Sequence, residues 1–276
     1  MNSGFTDKEL QISAQLSKLI MLLAVMIAML GLTSCTTKAG LEKKITKALE
    51  EKYGMEFVCV SVSVNGGGAD FVCYPSNDPT LLFDGFADSE DGSIGWDYFT
   101  GAIFAKEDTR IMTELLSDRF GEVYVYGTPE HLGGSYASSV IRRGNYTLED
   151  LKDGQLSPNI FFYIFVDTSS DMFVDDSSRD YDALSESVNE MVDYYRETFE
   201  RNICVDMHIY YVEKDDISFA KEYFKTHVSV FFDFNKQISP QYLITLQMGP
   251  EENGYYHSTW RLTEEEYSEK RSNFLQ

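Results

Sequence analysis

The chain has 276 residues, 43% of them hydrophobic and 14% aromatic, with 45 acidic against 23 basic side chains and a formal net charge of −22. Such a charge works against nucleic-acid binding, which rests on neutralising phosphates with Lys and Arg, and against unaided adhesion to anionic lipid. The aromatic content and the six prolines argue against a disordered stalk and for packed cores.

From Leu19 to Leu32 every residue is apolar or Gly, a run of 14 preceded by Lys18 and followed by Thr33, Ser34 and Cys35. A helical membrane span takes about 20 apolar residues, so the run is too short to cross. It matches the apolar region of a secretory signal, roughly 7 to 15 residues between a basic start and a small-residue cleavage site. Residues 1–17 form a long and rather polar lead, in which Asp7 and Glu9 offset Lys8.

Leu32-Thr33-Ser34-Cys35 resembles the lipobox of bacterial lipoproteins, an aliphatic residue and two small ones before an obligatory Cys. The resemblance implies that residues 1–34 are removed and that Cys35 becomes a diacylglyceryl cysteine at the mature N-terminus. Cys suits this role because its thiolate is readily alkylated. Two acyl chains hold a protein stably on a bilayer, so Cys35 alone would be the membrane anchor. The address implied is the extracytoplasmic face of the cell membrane. No other segment reaches spanning length, because residues 161–166 and 228–234 read as strands.

Residues 35–40 are then a lipidated Cys with a minimal linker, and about 240 residues remain, enough for sizeable cores. Leu41, Ile45, Leu49 and Tyr53 repeat every four residues, which predicts a helix stopped by Gly54. The segments 55–64 and 69–75 flank Asn65-Gly66-Gly67-Gly68 and predict a hairpin. A third strand is expected over 80–87, an acidic turn over 88–93, a helix from about Asp97 to Phe120 and a strand over 122–127. Residues 131–158 lack periodicity and read as a loop or linker between an N-terminal α+β subdomain, 41–130, and a C-terminal one, 159–276.

The second half opens with a buried strand over 159–167 and an Asp-rich loop. A helix over 181–202 follows, whose apolar stripe is Leu184, Val188, Met191, Val192, Tyr195 and Phe199. Strands are expected over 203–213, 227–235, 241–248 and 255–262, with a terminal helix opened by a Thr263 and Glu266 capping box. Three times a helix end, a Gly or Asn and an alternating strand follow one another, at Gly54, Gly121 and Asn202. The fold class expected is α+β: mainly antiparallel sheets with helices packed on one face, since alternating strands have one wet face.

With Cys35 acylated, Cys59, Cys73 and Cys204 remain. Cys59 and Cys73 lie almost symmetrically about the hairpin turn, a placement that allows a cross-strand disulfide; two free thiols acting as small core hydrophobes fit equally. Asp167, Asp171, Asp175 and Asp176, with Asp180 and Asp182 beyond, form the one carboxylate cluster that offers oxygen ligands of the kind calcium takes. Their spacing is not that of an EF-hand, and Asp180 is also placed to cap the helix after it. No cofactor is expected: there is no P-loop or dinucleotide fingerprint, no Cys-x-x-Cys, and His131, His208, His227 and His257 stand apart from one another. His208 alternates with apolar neighbours in a strand and reads as structural. A nucleophile elbow is also missing, and HLGGSYASS places its Gly-Gly-Ser in a loop.

Tyrosines pair at 194–195, 210–211 and 255–256, near Trp260, and rings on a wet sheet face suit peptides, glycans or protein partners. Ordinary sheet packing accounts for such rings as well. In its EKYG helix exit and its FVCYPSNDPTLLF strand pair the body is similar to uncharacterised small α+β lipoproteins of Gram-positive gut bacteria, a likeness that carries no activity with it. The expectation is a membrane-tethered, non-catalytic module for an envelope protein, glycan or peptide. The alternative is an envelope hydrolase with a site assembled from residues distant in sequence. A transporter's solute-binding protein is disfavoured, because repeated parallel βαβ units are lacking.

Overall fold

In the computed structural model of the chain, residues 37–129, 159–200, 203–228, 234, 243–248 and 263–274 are described, and they form an α+β fold with two four-stranded sheets. Helix α1 (Lys38–Tyr53) buries Leu41, Ile45 and Leu49, is capped by Thr37, and ends where Gly54 turns left-handed at φ 70°. The expected hairpin follows as β1 (Phe57–Asn65) and β2 (Gly68–Pro75). Gly66 and Gly67 have φ of 53° and 104°, the positive values that a two-residue hairpin turn demands at both centres.

Strand β3 (Phe83–Asp88) pairs with β2, and Asp88 then organises the acidic turn by accepting from the Glu90 and Asp91 N–H groups. The chain next forms β4 (Ile94–Asp97), which pairs with β3, where the sequence predicts direct passage into a helix. Four residues with Gly95 among them are too few for a readable alternation. The inner face of this first sheet packs on α1, with Phe57 meeting Phe83 and Phe99 nearly edge-on at 5.7 and 5.2 Å.

Asp97 is buried and accepts from Lys52 Nζ at 2.5 Å, Tyr53 Oη at 2.6 Å and the Phe99 N–H at 3.1 Å. One carboxylate thereby satisfies the first N–H of helix α2 (Phe99–Phe120) and ties that helix to the end of α1. Helix α2 begins in the first core with Phe99 and Ala102 and ends in the second with Met112, Leu116 and Phe120. Strand β5 (Val123–Gly127) pairs with β6 (Asn159–Asp167), so it belongs to the second sheet although the sequence groups it with residues 41–130. The passage between sheets therefore runs along α2, because Gly121 reverses the chain beside the helix's second half. Residues 131–158, the expected linker, lie outside the described residues.

Helix α3 (Ser177–Phe199) carries the predicted stripe, and all six of its residues are buried. It starts one turn early: Asp176 accepts from the Arg179 N–H and is the cap, while Asp180 sits buried in the first turn. At the helix exit Glu200 is left-handed, φ 56°, while Asn202, the exit residue expected from the sequence, lies outside the described residues. Strand β7 (Cys204–Val212) then pairs parallel with β6 through the α3 crossover, and β8 (Leu243–Met248) pairs antiparallel with β7. Helix α4 (Lys214–Tyr223) lies between them in sequence, and α5 (Glu264–Phe274) opens on the predicted box, with the Thr263 N–H donating to Glu266 Oε2 at 2.8 Å.

The second sheet is covered on both faces. Val125, Ile160, Phe162, Ile164, Val205 and Met207 face α2 and α3. Tyr163, Phe165, Tyr210 and Val212 face α4 and Phe234. Helices on one face alone are expected from alternation, but β6 and β7 are apolar on both faces and recruit a second layer. Each large side chain so buried contributes roughly 2 kcal/mol. The predicted strands over 227–235 and 255–262 lie almost wholly outside the described residues. Among the described residues no helix is long and apolar enough to cross a membrane.

Candidate functional site

Strand register assembles the outer face of the first sheet row by row. Ser61 opposes Val72, which opposes Asp84; Ser63 opposes Asp70, then Phe86, then Trp96; Val58 opposes Tyr74. Phe86 and Trp96 stack in this surface with ring centroids 6.5 Å apart. The serines are small, so the face is hollow over β1. A cavity of about 780 Å3 lies there, lined by Ser61, Ser63, Asp70, Asp84 and Trp96 and closed by Thr226, His227 and Val228 from the turn after α4. His227 stacks on Tyr223 at 4.0 Å, and its Nδ1 lies 3.0 Å from the Tyr223 carbonyl. The same Nδ1 lies 2.9 Å from Thr226 Oγ1, so the ring is held by neighbours on its own turn.

A second cavity, about 650 Å3, adjoins the first through Val60 and Thr226. Its walls are Val58, Val60 and Tyr74 from the first sheet, Leu82 before β3, Tyr124 and Tyr126 from β5, and Phe224 at the end of α4. Tyr126 and Phe224 stack 3.9 Å apart and form its floor. Lys221 and Lys225 stand at its rim; Lys221 reaches Glu122 at 3.6 Å, and Lys225 pairs with Glu222. The two cavities make one groove: aromatic and apolar along its length, cationic at the α4 rim and acidic towards Asp70 and Asp84. Burial pushes the Tyr124 hydroxyl above its ordinary range, so it stays neutral and serves as a hydrogen-bonding ring.

Most residues singled out by sequence fall elsewhere. Cys59 and Cys73 face each other across β1 and β2 and form a disulfide, with Cys59 at the groove wall; Cys204 is buried and outside any disulfide. Asp167 accepts from the Ser169 N–H and hydroxyl, Asp175 lies 3.6 Å from Arg271, and Asp176 caps α3, while Asp171 is exposed. Among the described residues no three His, Cys, Asp or Glu side chains are placed to hold a metal ion. His208 packs on Phe161 at 4.6 Å and Tyr163 at 5.4 Å, and burial pushes its pKa down to about 4. His131, His257, Tyr255, Tyr256, Trp260 and Cys35 lie outside the described residues. Tyr210 and Tyr211 do point to opposite faces, but both faces are covered, so neither ring is wet.

A second polar cluster is structural. Asp180 is paired with Arg119 of α2 and, at 3.0 Å, with Arg271 of α5, and it accepts from Tyr211 Oη, which also hydrogen-bonds Tyr267. Burial pushes the Asp180 carboxyl up, and the two guanidinium groups pull against that rise. Its polar groups are largely turned onto one another, which makes it a clamp across three helices.

No family model matches the sequence, and no curated protein matches it. A solved structure does. The chain is similar in fold to a DUF5037 family protein from Ruminococcus gnavus ATCC 29149. That crystal structure superposes with a TM-score of 0.61 over 84% of this chain and 99% of its own. The two share 17% identity, so the likeness is one of fold alone.

Proposed function

We propose that the mature chain is a lipid-anchored, extracytoplasmic binding protein that holds an envelope protein, glycan or peptide in the groove between the first sheet and β5 with α4. The observation that carries this reading is the pair of adjoining cavities, about 650 and 780 Å3, walled by tyrosine, tryptophan and valine with charge confined to the ends. Sites for small ligands are typically roughly 300–1,000 Å3, mostly apolar, with few polar groups. The address is supported by the Leu32-to-Cys35 motif alone. Helix α1 starts three residues beyond Cys35, a tether of at most about 11 Å when extended, so the body would sit against the membrane.

Cys35→Ala followed by membrane fractionation, with the mass of the mature N-terminus, tests the anchor. Wild-type chain that stays uncut and unacylated would remove it. The hydrolase alternative has one observation in its favour: His227, Ser61, Ser63, Asp70 and Asp84 line a single cavity. Hydrolysis of a p-nitrophenyl ester that disappears in His227→Ala would favour it. No turnover by pure wild type leaves the binding reading in place.

A further inference from the structure

Strand β1 is an edge of the first sheet, with β2 as its one partner among the described residues. It runs nine residues as FVCVSVSVN, without a charge or a proline, in a chain of which 25% is charged. Proteins usually blunt edge strands with Lys, Pro or extreme shortness, because an open edge is a template for another strand. The edges β4, β5 and β8 are shorter, four, five and six residues, and β1 is the longest of the four. It also leaves apolar side chains in water: Val58 is 39% exposed, Val60 37% and Val64 57%. Val64 shares its strand face with Val62, which is 5% exposed, so the first core has an uncovered rim at this edge.

The backbone has a definite reading. Cys59 and Cys73 are directly opposed with Cα atoms 4.0 Å apart. That separation belongs to the non-hydrogen-bonded type of antiparallel pair, whose N–H and C=O groups point away from the partner strand. Cys59 therefore offers its backbone to the open edge. Beyond the irregularity between Cys59 and Ser61 the same orientation falls on Val62 and Val64, while Val58 and Ser63 face β2. The side chains beside this edge are also sorted: small Ser61 and Ser63 leave room towards Asp70 and Asp84 on the outer face, and Val64 waits on the inner one.

We propose that β1 is a strand-addition site, and that the groove's partner is an extended basic peptide segment. It would pair with Cys59, Val62 and Val64, lay β-branched side chains beside Val64 and lay lysine or arginine over Ser61 and Ser63 towards Asp70 and Asp84. The net charge of −22 favours a basic strand and opposes a second copy of this chain at the same edge. This rests on the groove being the binding site, and it names the partner's chemistry.

The test uses the full chain, the peptide (Lys-Val)4-Lys, and (Lys-Pro)4-Lys as a probe of equal charge that lacks every second backbone donor. The readout is residue-resolved amide exchange on β1. The valine peptide should slow exchange at Cys59, Val62 and Val64 about tenfold or more, leave Val58 and Ser63 unchanged, and lose that effect when proline replaces valine. Val64→Pro removes one edge donor without taking one from the β2 ladder, and should weaken the valine peptide about tenfold. Equal protection by both peptides, or none by the valine peptide, overturns the proposal, and the exchange pattern decides this in wild type even if Val64→Pro fails to fold. Protection that rises with protein concentration alone assigns the edge to a second copy and also overturns it. The groove reading is judged separately by Val60→Trp, which fills the groove and leaves the outward amides at Cys59, Val62 and Val64 in place.

Discussion

Arg271 Nη1 lies 3.0 Å from Asp180 Oδ2, and both side chains are fully buried. Arg271 also donates to the Val174 carbonyl at 3.2 Å and lies over the rings of Phe173 and Tyr211. Helix α5 is thus held to the body by an inserted cation, beside the buried Tyr267 and the bond from Ser178 to Glu264. Removing one member of a buried pair leaves the other charge without compensation, which costs about 3–5 kcal/mol. Arg271→Met is expected to destabilise by that amount, and Asp180→Leu by more, since it leaves Arg119 and Arg271 facing each other. Urea denaturation of the two variants checks the order.

The Cys59–Cys73 bond closes a loop with a sequence separation of 14 residues. Loops of that size contribute about 2–3 kcal/mol when cross-linked, mainly through the unfolded chain. Replacing both residues with serine should lower the denaturation midpoint accordingly. Wild type under dithiothreitol should move to the same midpoint, while the double variant should not respond to reductant.

His208 supplies a pH dependence. Burial among Phe161 and Tyr163 holds its pKa at about 4 against an ordinary 6.5. Between these values the unfolded chain binds more protons than the folded one, so stability rises with pH across the window and falls on acidification. About 2 kcal/mol should be lost between pH 6.5 and 4 from this residue. His208→Gln should flatten that part of the curve, measured as melting temperature against pH relative to wild type.

Gly85 faces the first core, where an added Cβ would lie 2.3 Å from Phe71 Cζ and 2.7 Å from the Trp96 carbonyl oxygen. The ring could move; the β4 backbone can move only by opening the sheet. Gly85→Ala is expected to cost about 2–3 kcal/mol in thermal unfolding, at the upper end for one added methyl.

What was legible in the sequence follows physical range. The α1 repeat, the Gly66-Gly67 turn, the α3 stripe and the Thr263 box are local, set by residues within a turn or two of one another, and the structure has them all. Helix α4 escaped because within its ten residues only Ile217 and Ala220 are buried. The two-sided burial of β6 and β7 made Tyr210 and Tyr211 core residues, an outcome decided by a layer that alternation alone does not reveal. Asp180 read as one more loop carboxylate because its partners, Arg119 and Arg271, are far off in sequence. The groove was least legible of all: its walls come from β1, β2, β3, β4, the segment before β3, β5 and α4, and only register and packing bring Ser61, Tyr74, Trp96, Tyr126 and His227 to one place.

The groove carries the functional account, and Val60, shared by both cavities and 37% exposed, is where it can be blocked without touching a core. Capture of envelope material by immobilised wild type and by Val60→Trp, with melting temperatures compared, is the direct measurement. The account predicts that the substitution abolishes capture of the partner held by wild type while melting changes little. Undiminished capture of the same partner by Val60→Trp would contradict it.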